Sequence, residues 1–452
     1  MEDKKVIGKL QSAKKRVTNF EEVELGYTDE EAVKEANRCL QCVNPRCMTG
    51  CPVNIEIPQF IKALREGNLK EAYEIISKSS SLPAVCGRVC PQEKQCEAMC
   101  IKGMKGEAIA IGSLERYVAD QAIINGFNSV KPEKKNGKKV AIVGSGPAGL
   151  TCAGDLAKAG YDVTIYEVLH KAGGVLTYGI PRFRLPKEIV EKEVESLEKL
   201  GVKVLTDVPI GNALTIKDLQ KEYDAVFIGT GAGLPKFMGI EGEDANGVFS
   251  ANEILTRINL MRAFAKGAKT PIKVPKKAYV IGGGNVAMDA VRSLKRLGAD
   301  AHIMYRRSME ELPARKMEVE HAVDEGIVFD LLKNPVKILT DEDNNITGME
   351  IVDMVLGEPG EDGRRSVVEK EGSNHVVKCD MVVMALGTSP NHEALKYSDI
   401  ELSDRGLIVV EGTKTSLKNV YAGGDAVTGA ATVILAMEAG KNAAKEIMEK
   451  LS

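Results

Sequence analysis

Lys139-Val140-Ala141-Ile142-Val143-Gly144-Ser145-Gly146-Pro147-Ala148-Gly149 is a short apolar strand that runs straight into a G-x-G-x-x-G turn. Glycines there permit the tight turn and let backbone approach a pyrophosphate, whose charge the following helix N-terminus favours. An amphipathic helix over 149–160 and a second strand over 162–167 complete one βαβ unit. Glu167 ends that strand 23 residues beyond Gly144, where a carboxylate meets ribose hydroxyls. A glycine turn followed by an incidental surface Glu is the plainer interpretation. Against it, strand, turn, helix and acid stand together in the order the fold requires.

The same grammar returns downstream. A strand over 277–281 leads into Gly282-Gly283-Gly284-Asn285-Val286-Ala287, a G-x-G-x-x-A turn, then a helix over 285–297 and a strand over 301–305. Two such units imply two nucleotide ligands. Gly282, Gly284, Asn285, Val286 and Ala287 are the candidate binding residues of the second. The residue 24 positions past Gly282, where an acid binds the ribose of NAD, is Arg306, followed by Arg307. Two cations at a strand end suit a 2′-phosphate, so NADP is expected rather than NAD; a solvated arginine pair is the bland alternative.

Eight of the ten cysteines lie between positions 39 and 100, as Cys39-x2-Cys42-x4-Cys47-x3-Cys51-Pro52 and Cys86-x3-Cys90-Pro91-x4-Cys96-x3-Cys100. The surrounding residues read as mostly helical. Thr28-Asp29-Glu30-Glu31 is a capping-box start running into Arg38-Cys39, and further helices are expected over 58–65 and 69–78. Reducing cytosol disfavours a disulfide framework, so the thiolates are expected on metal. Two zinc sites of four cysteines each fit the counts, but the four-residue gap before Cys47 and the Cys-Pro signature favour iron. In bacterial ferredoxins the Cys before Pro serves the other cluster. On that pattern Cys39, Cys42 and Cys47 hold one [4Fe-4S] and Cys51 a second, with closing ligands from the second run.

Composition narrows the field. The 452 residues call for about three domains. Lys plus Arg total 61 against 64 Asp plus Glu, a formal charge of -3, which gives no general attraction for nucleic acid or anionic membrane. No apolar run approaches a membrane span, and Met1-Glu2-Asp3-Lys4-Lys5 lacks the apolar region of an export signal, so a cytoplasmic protein is expected. The charged, Pro- and Gly-bearing stretch 131–139 marks the first boundary. Domains are placed at 1–130, at 138–262 with 390–452, and at 263–389. Cys152 and Cys379 fall in the nucleotide domains without a C-x-x-C, which excludes a flavin-linked dithiol.

Phe227-Ile228-Gly229-Thr230-Gly231 and Met384-Ala385-Leu386-Gly387-Thr388 resemble the strand-end turns of two-dinucleotide flavoproteins such as the glutathione reductase group. Asn419-Val420-Tyr421-Ala422-Gly423-Gly424-Asp425 resembles that group's second flavin motif, whose Asp hydrogen-bonds the ribityl chain; Asp425 takes that role here, beside Gly424. Ala431-Thr432-Val433 opens a final helix, to about 451, whose amides meet the isoalloxazine in this fold. The tail is expected to fold back onto the first unit. End to end, with Gly173-Gly174-Val175-Leu176-Thr177-Tyr178-Gly179-Ile180-Pro181 included, the chain resembles the small subunit of glutamate synthase. It equally resembles the NADPH-binding large subunit of NADH-dependent ferredoxin:NADP oxidoreductases, and more distantly the N-terminal domain of dihydropyrimidine dehydrogenase.

The resemblance implies an α/β flavoprotein with two Rossmann-like dinucleotide-binding domains, for FAD and NADP, preceded by a mainly α-helical iron–sulfur domain. It implies FAD on Gly144, Gly146, Pro147, Ala148, Gly149, Glu167, Gly174, Gly424, Asp425, Thr432 and Val433. It implies one cluster on Cys39, Cys42, Cys47 and Cys100, and another on Cys51, Cys90, Cys96 and an oxygen ligand at Glu115, leaving Cys86 spare; on sequence, Cys86 and Glu115 compete for that last place. The implied reaction passes a hydride between C4 of NADP(H) and N5 of FAD without a side-chain acid, and single electrons through the clusters to a partner subunit in an oligomer. With no N-terminal Cys nucleophile and no length left for a synthase barrel, the chain alone is not expected to use glutamine. A zinc-stapled flavin reductase and a non-catalytic scaffold are the rivals from other classes.

Overall fold

The computed structural model describes residues 4–127, 131–269, 272–360 and 363–452. Lys139–Val143 is the central strand of a five-stranded sheet. Asp162–Tyr166 and Lys203–Leu205 lie to one side, Ala225–Ile228 and Val420–Ala422 to the other, all parallel. Its inner strands are continuous apolar runs because both faces are covered. The edge strand Val420–Ala422 comes from the far end of the chain, so the tail does fold back. Helix Val433–Leu451 then lies along helix Pro147–Lys158, so close that a Cβ on Gly440 would collide with the Ala148 carbonyl oxygen. Helix Pro147–Lys158 starts ahead of the expected 149 because Pro147 takes the first helical position, where no N–H is needed.

The second sheet repeats this order. Lys277–Ile281 is flanked by Asp300–Tyr305 and Val328–Leu331 on one side, Met381–Met384 and Val248–Ser250 on the other. The strand Val248–Ser250 and the helix Ala251–Asn259 behind it lie upstream of the boundary expected at 263, and both pack with this sheet; the boundary is corrected accordingly. A three-residue strand is too short to display a period, which is why it escapes sequence reading. An antiparallel sheet of Lys333–Thr340, Ile346–Pro359, Arg365–Glu369 and His375–Lys378 interrupts the unit before its last strand. Leu234–Pro235 and Thr388–Ser389 pair where the chain crosses between the units.

Helices Asp29–Asn37, Ile57–Arg65, Leu69–Ser79, Pro83–Val89 and Ile111–Asn125 build the N-terminal region. Thr28 and Glu31 form both halves of the capping box, 3.3 Å and 2.9 Å. Phe60, Ile61, Ile76, Leu82 and Leu114 belong to the same continuous core as Ile142, Leu150 and Leu156 of the first nucleotide unit. The cysteine-bearing region is therefore welded to that unit by apolar packing.

Polar contacts hold the second unit. Arg16, buried in the N-terminal strap, meets Glu325 at 2.9 Å, and Glu325 also takes Arg292 at 2.8 Å and Arg296 at 2.7 Å. Arg184 of the first unit reaches Asp289 at 2.7 Å and Glu318 at 3.0 Å. Burial raises the Glu325 carboxyl, but the Arg296 and Arg292 guanidiniums outweigh it and hold the group at about 2. A depressed carboxyl stabilises the fold above its ordinary 4.5, and that contribution disappears as pH falls from 4.5 towards about 2. Glu325→Ala removes a carboxylate shared by three guanidiniums, leaving Arg16 with Asp324 and Arg292 with Glu318 but Arg296 with no carboxylate, and is expected to cost about 3–5 kcal/mol in urea unfolding at neutral pH. The deficit should narrow as the comparison is taken below pH 4; a loss under about 1 kcal/mol at pH 7 would contradict this account.

Candidate functional site

The first glycine turn is closed on every side but one. A Cβ on Gly144 would lie 2.6 Å from the Gly229 carbonyl oxygen, and one on Gly149 would collide with the Gly144 carbonyl, whereas a Cβ on Gly146 meets no atom within 4 Å. Pro147 and Ala148 open the helix at that open side. Glu167 is buried at the end of its strand. Its carboxylate accepts from the Ser145 amide (2.9 Å), the Ser145 hydroxyl and the Leu169 amide (2.9 Å). The Gly173 amide donates to the Ser145 carbonyl at 3.2 Å, which brings Gly174 against Gly146. From the tail, Gly424 packs on Ala148, and Asp425 accepts from the Ala431 amide at 3.2 Å. Burial raises the Asp425 carboxyl while that amide lowers it, and burial prevails. Thr432 caps helix Val433–Leu451 by accepting from the Leu435 amide, leaving the Val433 and Ile434 amides as first-turn donors. The eleven residues expected on FAD thus belong to adjoining segments, with open space at Gly146.

The second turn repeats the design. A Cβ on Gly282 would collide with the Ala385 carbonyl, while Gly284 faces open space. Asn285 and Val286 start helix Asn285–Arg296, and Ala287 is fully buried beneath them. Asn285 accepts from the Arg315 amide at 2.9 Å. Arg306 is exposed directly after strand Asp300–Tyr305. Arg307 differs from it: its Nε donates to the Arg365 carbonyl at 2.6 Å, so the antiparallel sheet brings Arg365 beside the expected phosphate position. Nothing local in the sequence announces that approach.

The cysteines fall into two groups. Burial raises the Cys39 thiol, and the neighbouring Cys100 and Cys42 add to it; Cys47 is pushed to about 11 by burial, then Cys100 and Cys39. Cys51 is pushed to about 11 by burial, with Glu115 and Cys86 adding. Burial raises Cys96, with Glu97, Glu115 and Cys51 adding. Cys90 lies beside Cys86, Glu115, Cys96 and Cys51. Glu115 is fully enclosed in helix Ile111–Asn125, where burial lifts its carboxyl to about 8 and Glu193 adds to the effect, and its Oε1 has no hydrogen-bond partner. Among the described residues no three His, Cys, Asp or Glu converge on a point that one ion would occupy.

Residues 138–440 match the family described as pyridine nucleotide-disulphide oxidoreductase, and residues 16–127 match dihydropyrimidine dehydrogenase domain II, 4Fe-4S cluster. The glutamate synthase [NADPH] small chain of Escherichia coli (strain K12) is 37% identical over 448 residues, covering 96% of this chain and 95% of that one. The chain belongs to the glutamate synthase small-chain family of pyridine nucleotide-disulphide oxidoreductases. The NADP(+)-dependent formate dehydrogenase subunit beta of Moorella thermoacetica is 40% identical over 90% of this chain and 60% of its own length. FprA from Mycobacterium tuberculosis, in complex with NADPH, shares the fold over 70% of this chain and 84% of that chain, with TM-score 0.59 and 19% identity. Membership makes this chain an NADPH-dependent oxidoreductase of the iron–sulfur flavoprotein type.

Within this family frame, sequence reading passed over Glu193 and Arg315. Glu193 is fully buried, accepts from the Ala84 amide at 2.6 Å and is lifted to about 8 by burial. Arg315 joins the second glycine turn to Glu93 (2.9 Å) and Gln92 (3.1 Å), just beyond Cys90. Their signal was a charged residue on an otherwise apolar helix face or loop, which is ambiguous without the fold. The two glycines of the first turn give a test. Gly146→Ala should fold with an unchanged Tm when stripped of flavin but purify with a several-fold lower flavin content. Gly149→Ala should destabilise the stripped protein by about 1–3 kcal/mol. Full flavin retention in Gly146→Ala would place the cofactor elsewhere.

Proposed function

We propose that this chain is the NADPH-oxidising subunit of a glutamate synthase-type assembly, moving electrons from NADPH through FAD and two [4Fe-4S] clusters to a separate partner protein. The observation that carries it is the enclosed Glu115 carboxylate with an unpartnered oxygen, grouped with Cys51, Cys90 and Cys96 inside the core shared with the first nucleotide unit. An orphan buried oxygen costs about 1–3 kcal/mol unless something binds it. A metal centre is the partner that its thiol neighbours suit.

In this reading Cys39, Cys42, Cys47 and Cys100 hold one cluster, and Cys51, Cys90, Cys96 and Glu115 the other. When bound, FAD accepts a hydride from NADPH and the clusters carry electrons away singly. The protein's part is placement. Gly146 and Gly284 leave room for the two pyrophosphates, Glu167 faces the flavin-side ribose, and Asp425 the ribityl chain. The Val433 and Ile434 amides, at the positive end of their helix, favour negative charge on the reduced ring. Arg306, with Arg307 oriented by the Arg365 carbonyl, faces the 2′-phosphate.

A second reading is favoured by the similarity to a subunit named for NADP(+)-dependent formate dehydrogenase: the same electron module serving a different redox partner. Among the described residues no helix is long and apolar enough to cross a membrane, so either partner meets the chain through its surface. Native co-purification separates the two, since a synthase-type large subunit supports the first and any other redox enzyme the second.

The anaerobically purified chain should carry about eight iron atoms, and NADPH should bleach the flavin and then elicit reduced-cluster EPR signals. Glu115→Ala should fall to about four iron atoms with flavin bleaching intact. Retention of all the iron in that variant, or zinc in place of iron, would refute the ligand assignment. Arg306→Glu should raise KM for NADPH roughly tenfold or more while moving KM for NADH by less than about twofold. An equal effect on both nucleotides would remove the 2′-phosphate contact.

A further inference from the structure

Glu311 closes a ring of hydrogen bonds behind the expected 2′-phosphate position. Strand Asp300–Tyr305 ends at Arg306 and Arg307, and the chain then passes through Ser308 into a short turn, Met309–Glu311. One oxygen of the Glu311 carboxylate accepts from the Ser308 amide at 3.3 Å, as a capping-box residue does. The other accepts from the Arg365 amide at 3.2 Å, in the inserted antiparallel sheet. The Arg365 carbonyl in turn accepts from Arg307 Nε at 2.6 Å. The Arg365 side chain folds back on its own hairpin, donating to the Gly357 carbonyl at 3.0 Å, so it is the Arg365 backbone that meets Arg307. On the other side the ring is anchored to the second glycine turn. Tyr305 donates to the Glu311 carbonyl at 3.0 Å, a Cβ on Gly283 would lie 2.8 Å from both Tyr305 and Leu312, and the Ala314 amide donates to the Gly283 carbonyl at 3.2 Å.

Strand Arg365–Glu369 is an exposed edge strand whose pairing with Ile346–Pro359 slips register between Leu356 and Pro359. Its end needs a tie to the nucleotide unit if the Arg365 carbonyl is to stay beside Arg307, and the Glu311 carboxylate spans that gap. Arg307 commits Nε to the carbonyl, and among the described residues no hydrogen bond or ion pair occupies its terminal nitrogens. A guanidinium fixed at Nε keeps its planar fork in one orientation, and that fork is what bidentate phosphate recognition uses. We infer that Glu311 is a positioning residue for the 2′-phosphate: it holds the inserted sheet against the arginine turn, the Arg365 carbonyl then aims the Arg307 guanidinium, and the preference for NADP over NAD depends on that aim. The inference rests on the reading that Arg306 and Arg307 face the phosphate. By charge alone a carboxylate repels a phosphate. Positioning and charge therefore predict opposite effects when Glu311 is removed.

The test is calorimetric titration of the flavin-loaded full chain with 2′-phospho-ADP-ribose and with ADP-ribose, which differ only in that phosphate. Glu311→Ala should bind the phosphorylated probe roughly three- to tenfold more weakly and ADP-ribose within about twofold of the parent chain. Unchanged or tighter binding of the phosphorylated probe would overturn the proposal, because only the charge of Glu311 would then matter. Equal weakening of both probes would overturn it too, since the contact would support the whole turn and not the phosphate. Glu311→Gln removes the charge yet keeps an oxygen acceptor, and should recover part of the loss; a Gln variant as weak as Glu311→Ala would count against the inference. Arg307→Ala, beside Arg306→Glu, reports on the underlying reading. If discrimination between the probes survives in both arginine variants, the 2′-phosphate binds elsewhere and the reading fails with the proposal. If discrimination collapses in them but persists in Glu311→Ala, the role given to Glu311 alone is rejected.

Discussion

The close approach of two helices organises this molecule. Gly440 lets the tail helix press against the Ala148 carbonyl, a contact that any side chain would prevent. Further along, Gly154 leaves space for Ser81, whose Oγ would lie 2.6 Å from a Cβ there, and Lys441 closes the junction by reaching Asp155 at 2.9 Å and the Ser79 carbonyl at 3.2 Å. Three stretches far apart in the chain are therefore interlocked. Gly424 is thereby set against Ala148, and Met437 against Cys86. Flavin-binding turn, tail helix and cysteine-bearing helices then behave as one packed body with one core.

The second nucleotide unit is joined to that body by a different kind of force. Its core is a separate cluster, joined by Phe20, Val23 and Phe183 from outside the unit, and much of the remaining attachment runs through arginine–carboxylate contacts at Arg16, Arg184 and Arg315. Buried ion pairs contribute little net stability compared with apolar packing, yet each is costly to leave half-made. Such an interface specifies one relative orientation and penalises intermediate ones. Phe183, lying 3.8 Å beneath the Arg296 guanidinium, adds a stacking surface on the same seam. Arg315 extends the seam to Glu93, so the second glycine turn and the segment after Cys90 share a charged tether.

Elements with a regular period or a fixed local signature were legible in the sequence. Both βαβ units, the Thr28–Glu31 cap and the tail strand were read correctly because strand length, glycine spacing and capping chemistry are local properties. The start of the second sheet at Val248–Ser250 was not, since three residues carry no period. The antiparallel sheet between Lys333 and Lys378 was missed because its outer strands are largely exposed and alternate weakly. Helix Ile111–Asn125 shows the deeper limit. Its Glu115 and Arg116 are buried, so the apolar stripe that would reveal a helix is interrupted where the chemistry is concentrated. Grouping the cysteines by sequence spacing separates Cys51 from Cys47, the resemblance adds Glu115 to Cys51, Cys90 and Cys96, and the fold brings Glu115 near those three.

The two proposed ligand sets differ in their contact with water, and that difference bears on the direction of electron movement. Cys90, Cys96 and Glu115 are buried and Cys51 is half-buried, whereas Cys39, Cys42, Cys47 and Cys100 are all half-buried, in loops whose Val43 is 96% exposed and Met104 72%. Reduction adds negative charge, which a low-dielectric interior penalises and water relieves. Burial lifts the Glu115 and Glu193 carboxyls to about 8, so at neutral pH neither supplies a fixed charge and burial itself sets the balance there. On the proposed ligand sets, burial therefore makes reduction less favourable at the enclosed one. The half-buried set is then the one nearer the surface at which a partner protein would meet the chain.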